Sequence, residues 1–258
     1  MTRHRARKRF GQHFLTDPGV IDAIVRAVHP GDEDVIVEIG PGQGAITDAL
    51  AQGAGHLHLV ELDRDLVAGL RERYRDAGNV SVHEGDALAF DFAALGDKLR
   101  IVGNLPYNIS TPLLFHLLKF RGQVIDMHFM LQKEVVDRMA AAPGSKAYGR
   151  LGIMLGCYLG VEPLFEVPPE AFSPPPEVVS AVVRIDPLPP GTFAIDDDAA
   201  LSTLVATAFM QRRKTLRNAL KKQADAGDFA AVGIDASLRP EQVSIEEYVR
   251  LSNHLRRK

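Results

Sequence analysis

The sequence is poor in the features that mark secreted, disulfide-bonded or membrane proteins. Its single cysteine, Cys157, excludes an internal disulfide and a zinc site built from cysteines, and it fits a reducing compartment. The longest apolar run, residues 151–161, is too short to span a bilayer. No apolar segment follows the basic N-terminal residues, as it would in a secretory signal. We therefore expect a cytoplasmic protein that does not associate with a membrane.

The composition is that of a globular protein, with 46% hydrophobic and 24% charged residues, which excludes disorder as a description of the whole chain. A chain of 258 residues can form one large and one small domain. The net charge of −3 conceals an asymmetry, because residues 1–9, 211–222 and 256–258 carry Lys and Arg but no acidic residue. This segregation favours a polyanionic partner, although solvated basic tails are the alternative.

Short β-rich runs alternate with helical patterns over the first two thirds of the chain. The runs are 34–39, 56–62, 80–83, 100–103 and 125–131, and helical patterns lie between them at 46–51, 64–74 and 111–119. Such alternation predicts βαβ units and a doubly wound, mostly parallel α/β sheet. Two later runs, 153–159 and 178–185, flank a proline-rich segment without a helical pattern, and we expect them to form an antiparallel pair at the sheet edge.

Prolines and a glycine interrupt regular structure at 185–193 and predict a linker. Beyond it, only helical patterns follow, at 201–208, 215–220 and 245–255. The sequence thus predicts an α/β domain over residues 1–187 and a small all-helical domain over residues 188–258.

The sharpest local motif is VEIGPGQGAIT at 37–47, in which a predicted strand runs into Gly40, Gly42 and Gly44 before a helix. Glycines at such a bend let the backbone turn tightly and approach a ligand, and the helix that follows offers free N–H groups. Nicotinamide-dependent dehydrogenases use a related turn. The G-x-G-x-G spacing and the preceding carboxylate, Glu38, favour a different cofactor.

Acidic residues follow the next two predicted strands. Glu61 ends the second strand, where a carboxylate can accept hydrogen bonds from both ribose hydroxyls of a nucleoside cofactor. Asp86 follows the third, where it can accept a hydrogen bond from an adenine amino group. The alternative is a solvated carboxylate for Glu61 and an ordinary helix N-cap for Asp86. We assign Asp63 and Asp65 to the helix cap and first turn. Together, the glycines and the two acids resemble class I S-adenosyl-L-methionine-dependent methyltransferases.

The fourth strand runs into GNLPYNIS at 103–110, which suits transfer to an aromatic amine. The lone pair of such an amine is delocalised into its ring. The side-chain oxygen of Asn104 and the backbone carbonyl of Leu105 can accept hydrogen bonds from both N–H groups and stabilise the developing positive charge. Tyr107 can stack on the base. Such a reaction needs no strong general base.

The string NLPYNIS resembles the ribosomal RNA adenine N6,N6-dimethyltransferase family. Further blocks of this family, in its order, are KRFGQHFL (8–15), VEIGPGQG (37–44), VELDRDL (60–66), GNLPYNISTPLLFHLL (103–118), MLQKEV (130–135), KAYGRL (146–151), FSPPPEVVSAVV (172–183) and QRRKTLRNAL (211–220). The resemblance implies dimethylation of two adjacent adenosines near the 3′ end of small-subunit (16S) ribosomal RNA. The implied partner is the small ribosomal subunit, and the implied role is in its maturation.

The resemblance also implies residue roles. His13, where the family usually has asparagine, and Leu15 would close over the methionine part of the cofactor, and Gly40, Glu61, Asp86 and Asn104 would hold the rest. Phe172 and Tyr107 would flank a target adenine flipped out of the RNA stack. A buried core residue is the alternative for Phe172, and an exposed loop residue is the alternative for His13.

The segment 211–220 predicts a helix with Arg213 and Arg217 on one stripe and Leu216 and Leu220 on the next, so that arginines face phosphate. The arm at 3–9 would add phosphate contacts. The domain over 1–187 would therefore bind S-adenosyl-L-methionine, and the helical domain over 188–258 would bind RNA. The candidate RNA-binding residues are Arg7, Arg9, Arg212, Arg213, Lys214 and Arg217. We expect no metal, because His56 and His58 lack a third ligand at suitable spacing, and a monomer, because nothing signals an interface.

Three rival functions remain. Large-subunit ribosomal RNA adenine methyltransferases that confer macrolide resistance are related, but the blocks at 172–183 and 211–220 argue against them. A mainly non-catalytic ribosome assembly factor is the second, and it is compatible with methylation. A nicotinamide-dependent dehydrogenase is a remote third, because no hydride-transfer acid pair is recognisable.

Overall fold

Residues 13–258 are described by a computed structural model, so the arm that carries Arg7 and Arg9 lies outside the described residues. The strands are β1 (Phe14–Leu15), β2 (Val35–Ile39), β3 (His56–Glu61), β4 (Val80–Glu84), β5 (Leu99–Asn104), β6 (Val124–Gln132), β7 (Leu159–Val167), β8 (Phe172–Ser173) and β9 (Ser180–Pro187). The helices are α1 (Pro18–Val28), α2 (Thr47–Gly53), α3 (Arg64–Arg73), α4 (Ser110–Leu117), α5 (Lys133–Met139), α6 (Arg150–Gly156), α7 (Asp198–Met210), α8 (Leu216–Ala219), α9 (Ala226–Ala231) and α10 (Ile245–Arg257).

Seven strands form one mixed sheet in the order β4-β3-β2-β5-β6-β9-β7. Strands β2 to β6 are mutually parallel, and β9 runs antiparallel to β6. The prediction of a doubly wound, Rossmann-like α/β sheet is therefore confirmed. The strand order reverses between β2 and β5, and ligands in such sheets bind in the crevice outside the carboxyl ends at that reversal.

Helix starts follow the local sequence. The side chain of Asp63 caps α3 by accepting a hydrogen bond from the backbone N–H of Asp65, as expected for this pair. Ser244 and Glu247 form a reciprocal capping box at the start of α10. Such caps satisfy N–H groups that have no partner within the helix.

The strand predicted at 153–159 is wrong. Residues 150–156 form α6, and the edge strand beside β9 is β7. The four consecutive residues 152–155 are all buried, and an apolar run without a period does not distinguish a buried helix from a strand. Pro163 lies within β7, which an edge strand tolerates because one side of its backbone needs no partner.

The continuous helix predicted over 211–220 is also wrong. Helix α7 ends at Met210 and α8 begins at Leu216. The backbone N–H groups of Leu216 and Arg217 donate to the carbonyl oxygens of Leu238 and Ala236, at 2.6 and 3.1 Å, so α8 starts on a separate loop. Leu216 is nevertheless buried, as its predicted apolar stripe required.

The chain divides into two compact units. One contains the residues up to Val136 and Glu162–Pro187, and the other contains Asp137–Val161 and Leu188–Lys258. The predicted first domain included 137–161, but in the structure Ile153 and Met154 of α6 pack in the core of the C-terminal helices. The functions assigned to the two domains stay predictions. Within residues 13–258, every helix is too short or too polar to cross a bilayer.

Candidate active site

A single cavity lies at the carboxyl ends of the central parallel strands. Its lining includes every described residue that the sequence suggested for catalysis or cofactor binding: His13, Leu15, Gly40, Glu61, Asp86, Asn104, Leu105, Tyr107 and Phe172. The structure thus brings these residues together around one space, while their individual roles stay predictions.

The glycine turn after β2 adopts backbone conformations that favour glycine. Gly40 and Gly42 have φ angles of 65° and 59°. A Cβ atom at Gly42 would lie 3.2 Å from the ring of Phe14, whereas at Gly40 it would meet nothing within 4 Å. The turn therefore packs tightly on one side and is open at Gly40, which lines the cavity.

Glu61 is held rigidly at the end of β3. One carboxylate oxygen accepts a hydrogen bond from the N–H of Gly42 at 3.2 Å, and the other accepts one from the N–H of Asp63 at 2.9 Å. Only 7% of the residue is exposed. Burial raises the pKa of Glu61, and the backbone hydrogen bonds oppose that rise. Each oxygen keeps a further lone pair with which to accept a ligand hydroxyl.

Asp86 is the exposed acid of the cavity. Its Oδ1 accepts a hydrogen bond from the N–H of Leu88 at 2.9 Å, which orients the side chain and leaves Oδ2 for a donor. The bond also matches the alternative of a local turn cap, so the proposed contact with an adenine amino group depends on Asp86 lining the cavity.

Glu38 is a second buried carboxyl group in the cavity wall. It is 2% exposed, and the hydroxyl of Thr47 donates to its Oε2 at 2.7 Å. Burial raises the pKa of Glu38 from 4.5 to about 8, more than the Thr47 hydrogen bond lowers it. Glu38 is therefore protonated at neutral pH, and the charge of the buried wall is smaller than its three acidic residues, Glu38, Glu61 and Asp63, imply.

Asn104 ends β5, and its amide group is oriented by the backbone of the residue that precedes β1. Its Nδ2 donates to the backbone carbonyl of His13 at 3.1 Å. Because the nitrogen is engaged there, Oδ1 is the atom left to accept a hydrogen bond, and the predicted contact with the target amine stays a prediction. The N–H of Leu105 donates to the carbonyl of Met130 at 3.2 Å, which ties the following turn to β6.

Two aromatic side chains of the cavity are held by polar groups or strand pairing. The hydroxyl of Tyr107 hydrogen-bonds with the hydroxyl of Ser180 at 2.7 Å, and burial raises the pKa of Tyr107. Phe172 lies in β8, opposite Leu15 of β1, and is only 4% exposed. Phe172 lines the cavity and also packs in the core, so its environment is compatible with both alternatives, contact with a target adenine and a core position.

Sequence reasoning missed the residues that support this site. Ser180 holds Tyr107, and Arg73 braces the glycine turn by donating to the carbonyl of Gln43 at 3.2 Å and pairing with Asp48. These partners are more than 20 residues apart in sequence, so no local pattern reveals them.

The basic residues of the second unit differ in their surroundings. Arg213, Lys214 and Arg217 are exposed. Arg212 instead donates to the carbonyl of Lys146 at 2.7 Å, and its Nε lies 3.6 Å from a carboxylate oxygen of Glu241. This internal bracing gives Arg212 a structural role that its place in the basic run did not suggest. RNA binding by all four residues stays a prediction.

The basic C-terminus is largely neutralised within the second unit. Arg256, Arg257 and Lys258 form ion pairs with Asp197, Asp196 and the pair Asp225 and Asp228, respectively. The segment 256–258 therefore contributes less to a polyanion-binding surface than its composition indicated.

The histidines of β3 and β4 bond to each other and to a serine. His56 Nε2 lies 3.0 Å from the hydroxyl of Ser81, and His58 Nδ1 lies 3.1 Å from Nε2 of His83. Burial lowers the pKa of His58 to about 4. Among residues 13–258, no group of three or more His, Cys, Asp or Glu side chains is arranged to hold a metal ion.

Comparison with known proteins identifies the family. The family model for ribosomal RNA adenine dimethylase matches residues 3–257. A ribosomal RNA small subunit methyltransferase A of Aromatoleum aromaticum is 56% identical over 255 residues, covering 99% of this chain and 96% of the relative. A protein of the same name from Chromobacterium violaceum is 56% identical over 256 residues, covering 99% and 97%.

Solved structures agree. A dimethyladenosine transferase of Plasmodium falciparum superposes with a TM-score of 0.81 at 26% identity, covering 93% of this chain and 96% of that one. The 23S rRNA methyltransferase ErmE superposes with a TM-score of 0.75 at 21% identity, covering 94% of this chain and 99% of that one, and therefore shares the fold. The matched family model and the two methyltransferase A relatives show that the chain belongs to the ribosomal RNA adenine dimethylase family.

Proposed function

We propose that this protein transfers methyl groups from S-adenosyl-L-methionine to N6 of two adjacent adenosines near the 3′ end of small-subunit ribosomal RNA, two to each. The observation that carries the proposal is the cavity at the sheet edge, where the free Oδ1 of Asn104 shares one space with Gly40, Glu61 and Asp86. The name of the curated relatives, small subunit methyltransferase A, supports the choice of subunit.

The residues present fit the cofactor. The cavity is open at Gly40, and the carboxylate of Glu61 beside it is fixed by two backbone N–H groups. Glu61 accepts hydrogen bonds from the ribose hydroxyls, and Asp86 accepts one from the adenine amino group. His13 and Leu15 cover the methionine part. When bound, the cofactor supplies an electrophilic methyl group.

The chain's own residues prepare the target amine. Oδ1 of Asn104 and the carbonyl of Leu105 accept hydrogen bonds from the two N6–H groups. These hydrogen bonds localise the lone pair on N6 and stabilise the positive charge that develops on that nitrogen. Tyr107 and Phe172 contact the base, which must leave the RNA stack before N6 can reach the cavity. Alignment of the amine contributes much of the remaining acceleration.

The RNA is held mainly through its phosphates. Arg213, Lys214 and Arg217 present exposed cations on the second unit, and Arg7 and Arg9 add charge from the arm outside the described residues. Structured RNA is recognised largely through backbone and shape, so such a surface is sufficient around a helix and loop. Binding should weaken steeply as salt rises.

The test compares the two ribosomal subunits as substrates. Small and large subunits that lack adenine dimethylation are incubated separately with the protein and the methyl donor, and their nucleosides are analysed by mass spectrometry. We expect N6,N6-dimethyladenosine in the small-subunit RNA alone. Its formation only in the large subunit would favour the macrolide-resistance type, and its absence from both would refute the proposed activity.

A further inference from the structure

The segment between β8 and β9 exposes apolar side chains to solvent. Four of its residues are apolar and exposed, and we call them the apolar rim: Pro174, Pro175, Val178 and Val179. Val178 is 43% exposed and Val179 is 37% exposed, although valine is among the residue types most often buried. Exposed apolar groups that lie next to a binding cavity are candidates for a contact with its ligand.

The apolar rim adjoins the cavity at both of its ends. Phe172, two residues before the first proline of the rim, lines the cavity. Ser180, directly after the last valine, hydrogen-bonds with the hydroxyl of Tyr107, which also lines the cavity. The rim therefore connects the two parts of the chain whose aromatic rings are proposed to contact the target adenine.

Hydrogen bonds to the backbone fix the rim in place. The carbonyl of Pro174 accepts a hydrogen bond from Nδ1 of His13 at 2.8 Å, and the carbonyl of Val179 accepts one from the N–H of Lys133 at 3.0 Å. Prolines restrict the backbone further, because their rings fix φ. A ligand that packs on such a segment loses little free energy to ordering it.

The composition of the segment disfavours a phosphate as its ligand. Residues 172–183 contain no Lys or Arg, and the carboxylate of Glu177 is exposed between the prolines and the valines. Phosphates are bound mainly by cations and are repelled by a carboxylate. The part of an RNA that fits the rim is therefore the uncharged face of a base.

The proposed reaction leaves one base in need of such a contact. The two target adenosines are adjacent, so moving one of them into the cavity removes a stacking partner from the other. The two nucleotides are covalently linked, and the second therefore stays close to the cavity with an apolar face uncovered. A contact with valine and proline side chains offsets part of the stacking that is lost.

We propose that the apolar rim contacts the base of the adenosine next to the one that is being methylated. The inference rests on the proposed function and deepens it, because it assigns a contact to the second adenosine of the pair. It also makes the rim a specificity determinant, since a smaller neighbouring base has less apolar surface to place against the valines.

The test combines changes in the rim with a change in the RNA. Val178→Ser/Val179→Ser removes apolar surface, and Val178→Ile/Val179→Ile keeps it. Ile125→Ser is the control, because Ile125 is 48% exposed and lies near the start of β6, at the end of the strand away from the cavity.

Two substrates are used with each protein. One is the small subunit that lacks adenine dimethylation, and the other is the same subunit with uridine in place of one adenosine of the pair. For each protein, kcat/KM for dimethylation of the adenosine present in both substrates is measured at saturating methyl donor. Calorimetry measures the affinity for S-adenosylhomocysteine.

On subunits with both adenosines, Val178→Ser/Val179→Ser should lower kcat/KM about fourfold, the effect of one buried methylene group. Uridine should lower kcat/KM of the unchanged protein by a similar factor, and that of the serine variant by less than about 1.5-fold, because the contact is already lost. Val178→Ile/Val179→Ile should stay within about twofold of the unchanged protein. Ile125→Ser should match the unchanged protein on both substrates, and affinity for S-adenosylhomocysteine should be the same throughout.

The inference is overturned if the serine variant methylates subunits with both adenosines as fast as the unchanged protein. It is also overturned if the serine variant loses the same factor on both substrates, because the valines would then contact another part of the subunit, RNA or protein. A loss of S-adenosylhomocysteine affinity as large as the loss of kcat/KM would overturn it too. Failure of the proposed function is a separate result, because the unchanged protein would then form no dimethyladenosine.

Discussion

Replacing Glu38 by glutamine should raise the free energy of unfolding relative to the unchanged protein, by an amount that grows as the pH rises. Burial raises the pKa of Glu38 from 4.5 to about 8, so the folded protein keeps a proton at neutral pH that the unfolded chain releases. A raised pKa in the folded state contributes stability that is complete below about pH 4.5 and is lost as the pH rises through about 8. Glutamine has a similar shape and does not ionise.

The size of the effect follows from the pKa. Each unit of pH between the two values changes the free energy of unfolding by about 1.4 kcal/mol, so Glu38 costs about 3 kcal/mol at pH 7. The amide oxygen of glutamine can still accept the hydrogen bond from Thr47, whose net contribution is about 1 kcal/mol. Glu38→Gln should therefore have little effect near pH 5 and stabilise the protein by about 2–3 kcal/mol at pH 7.

Urea unfolding of the two proteins at pH 5, 6, 7 and 8, followed by circular dichroism, measures this difference. Groups that do not interact with Glu38 titrate equally in both proteins and cancel, whereas the nearby Glu61 and Asp48 lose a like charge in the variant. Glu84→Gln provides a control, because Glu84 is exposed and its ion pair with Arg64 lies at the surface. A difference between unchanged protein and Glu38→Gln that does not grow with pH would refute the reasoning.

Three further predictions concern activity and RNA binding. Asn104→Ala should lower the methylation rate at least about 100-fold, because it removes an acceptor from the developing charge, and should leave subunit binding in a filter assay intact; loss of binding would mean that the two cannot be separated. Arg213→Gln should lower the magnitude of the slope of log RNA affinity against log salt concentration by about one. Arg212→Gln should instead lower the melting temperature, since Arg212 contacts Lys146 and Glu241. Equal salt slopes for the two variants would contradict this assignment. Ser180→Ala should raise KM for the subunit and leave S-adenosylhomocysteine affinity unchanged, because Tyr107 loses its anchor; an unchanged KM would argue against that role.

Local sequence sufficed where the chemistry is local. The β-branched run at 34–39 and the glycines after it predicted β2 and its turn, and NLPY predicted an amide and an aromatic ring at the end of β5. Parallel strands carry their carboxyl ends to one edge, so residues that follow successive strands meet there. Glu61, Asp86 and Asn104 were therefore predictable as neighbours from their positions alone.

Sequence reasoning failed where distant partners decide the outcome. Residues 152–155 of α6 are all buried, and Ile153 and Met154 pack among the C-terminal helices, so this stretch shows no amphipathic period. Arg212 resembles its neighbours in sequence and differs from them only through the carbonyl of Lys146 and the carboxylate of Glu241. The ring of His13 is oriented by Pro174, which lies 161 residues away.

The central claim is that a methyl donor and a flipped adenine meet at Asn104. A crystal structure with S-adenosylhomocysteine and a short RNA containing the two target adenosines tests it most directly. We expect the ribose hydroxyls of S-adenosylhomocysteine at the carboxylate of Glu61 and one adenine N6 within hydrogen-bonding distance of Asn104 Oδ1. The account would be contradicted by S-adenosylhomocysteine bound outside this cavity, or by Asn104 turned away from the adenine.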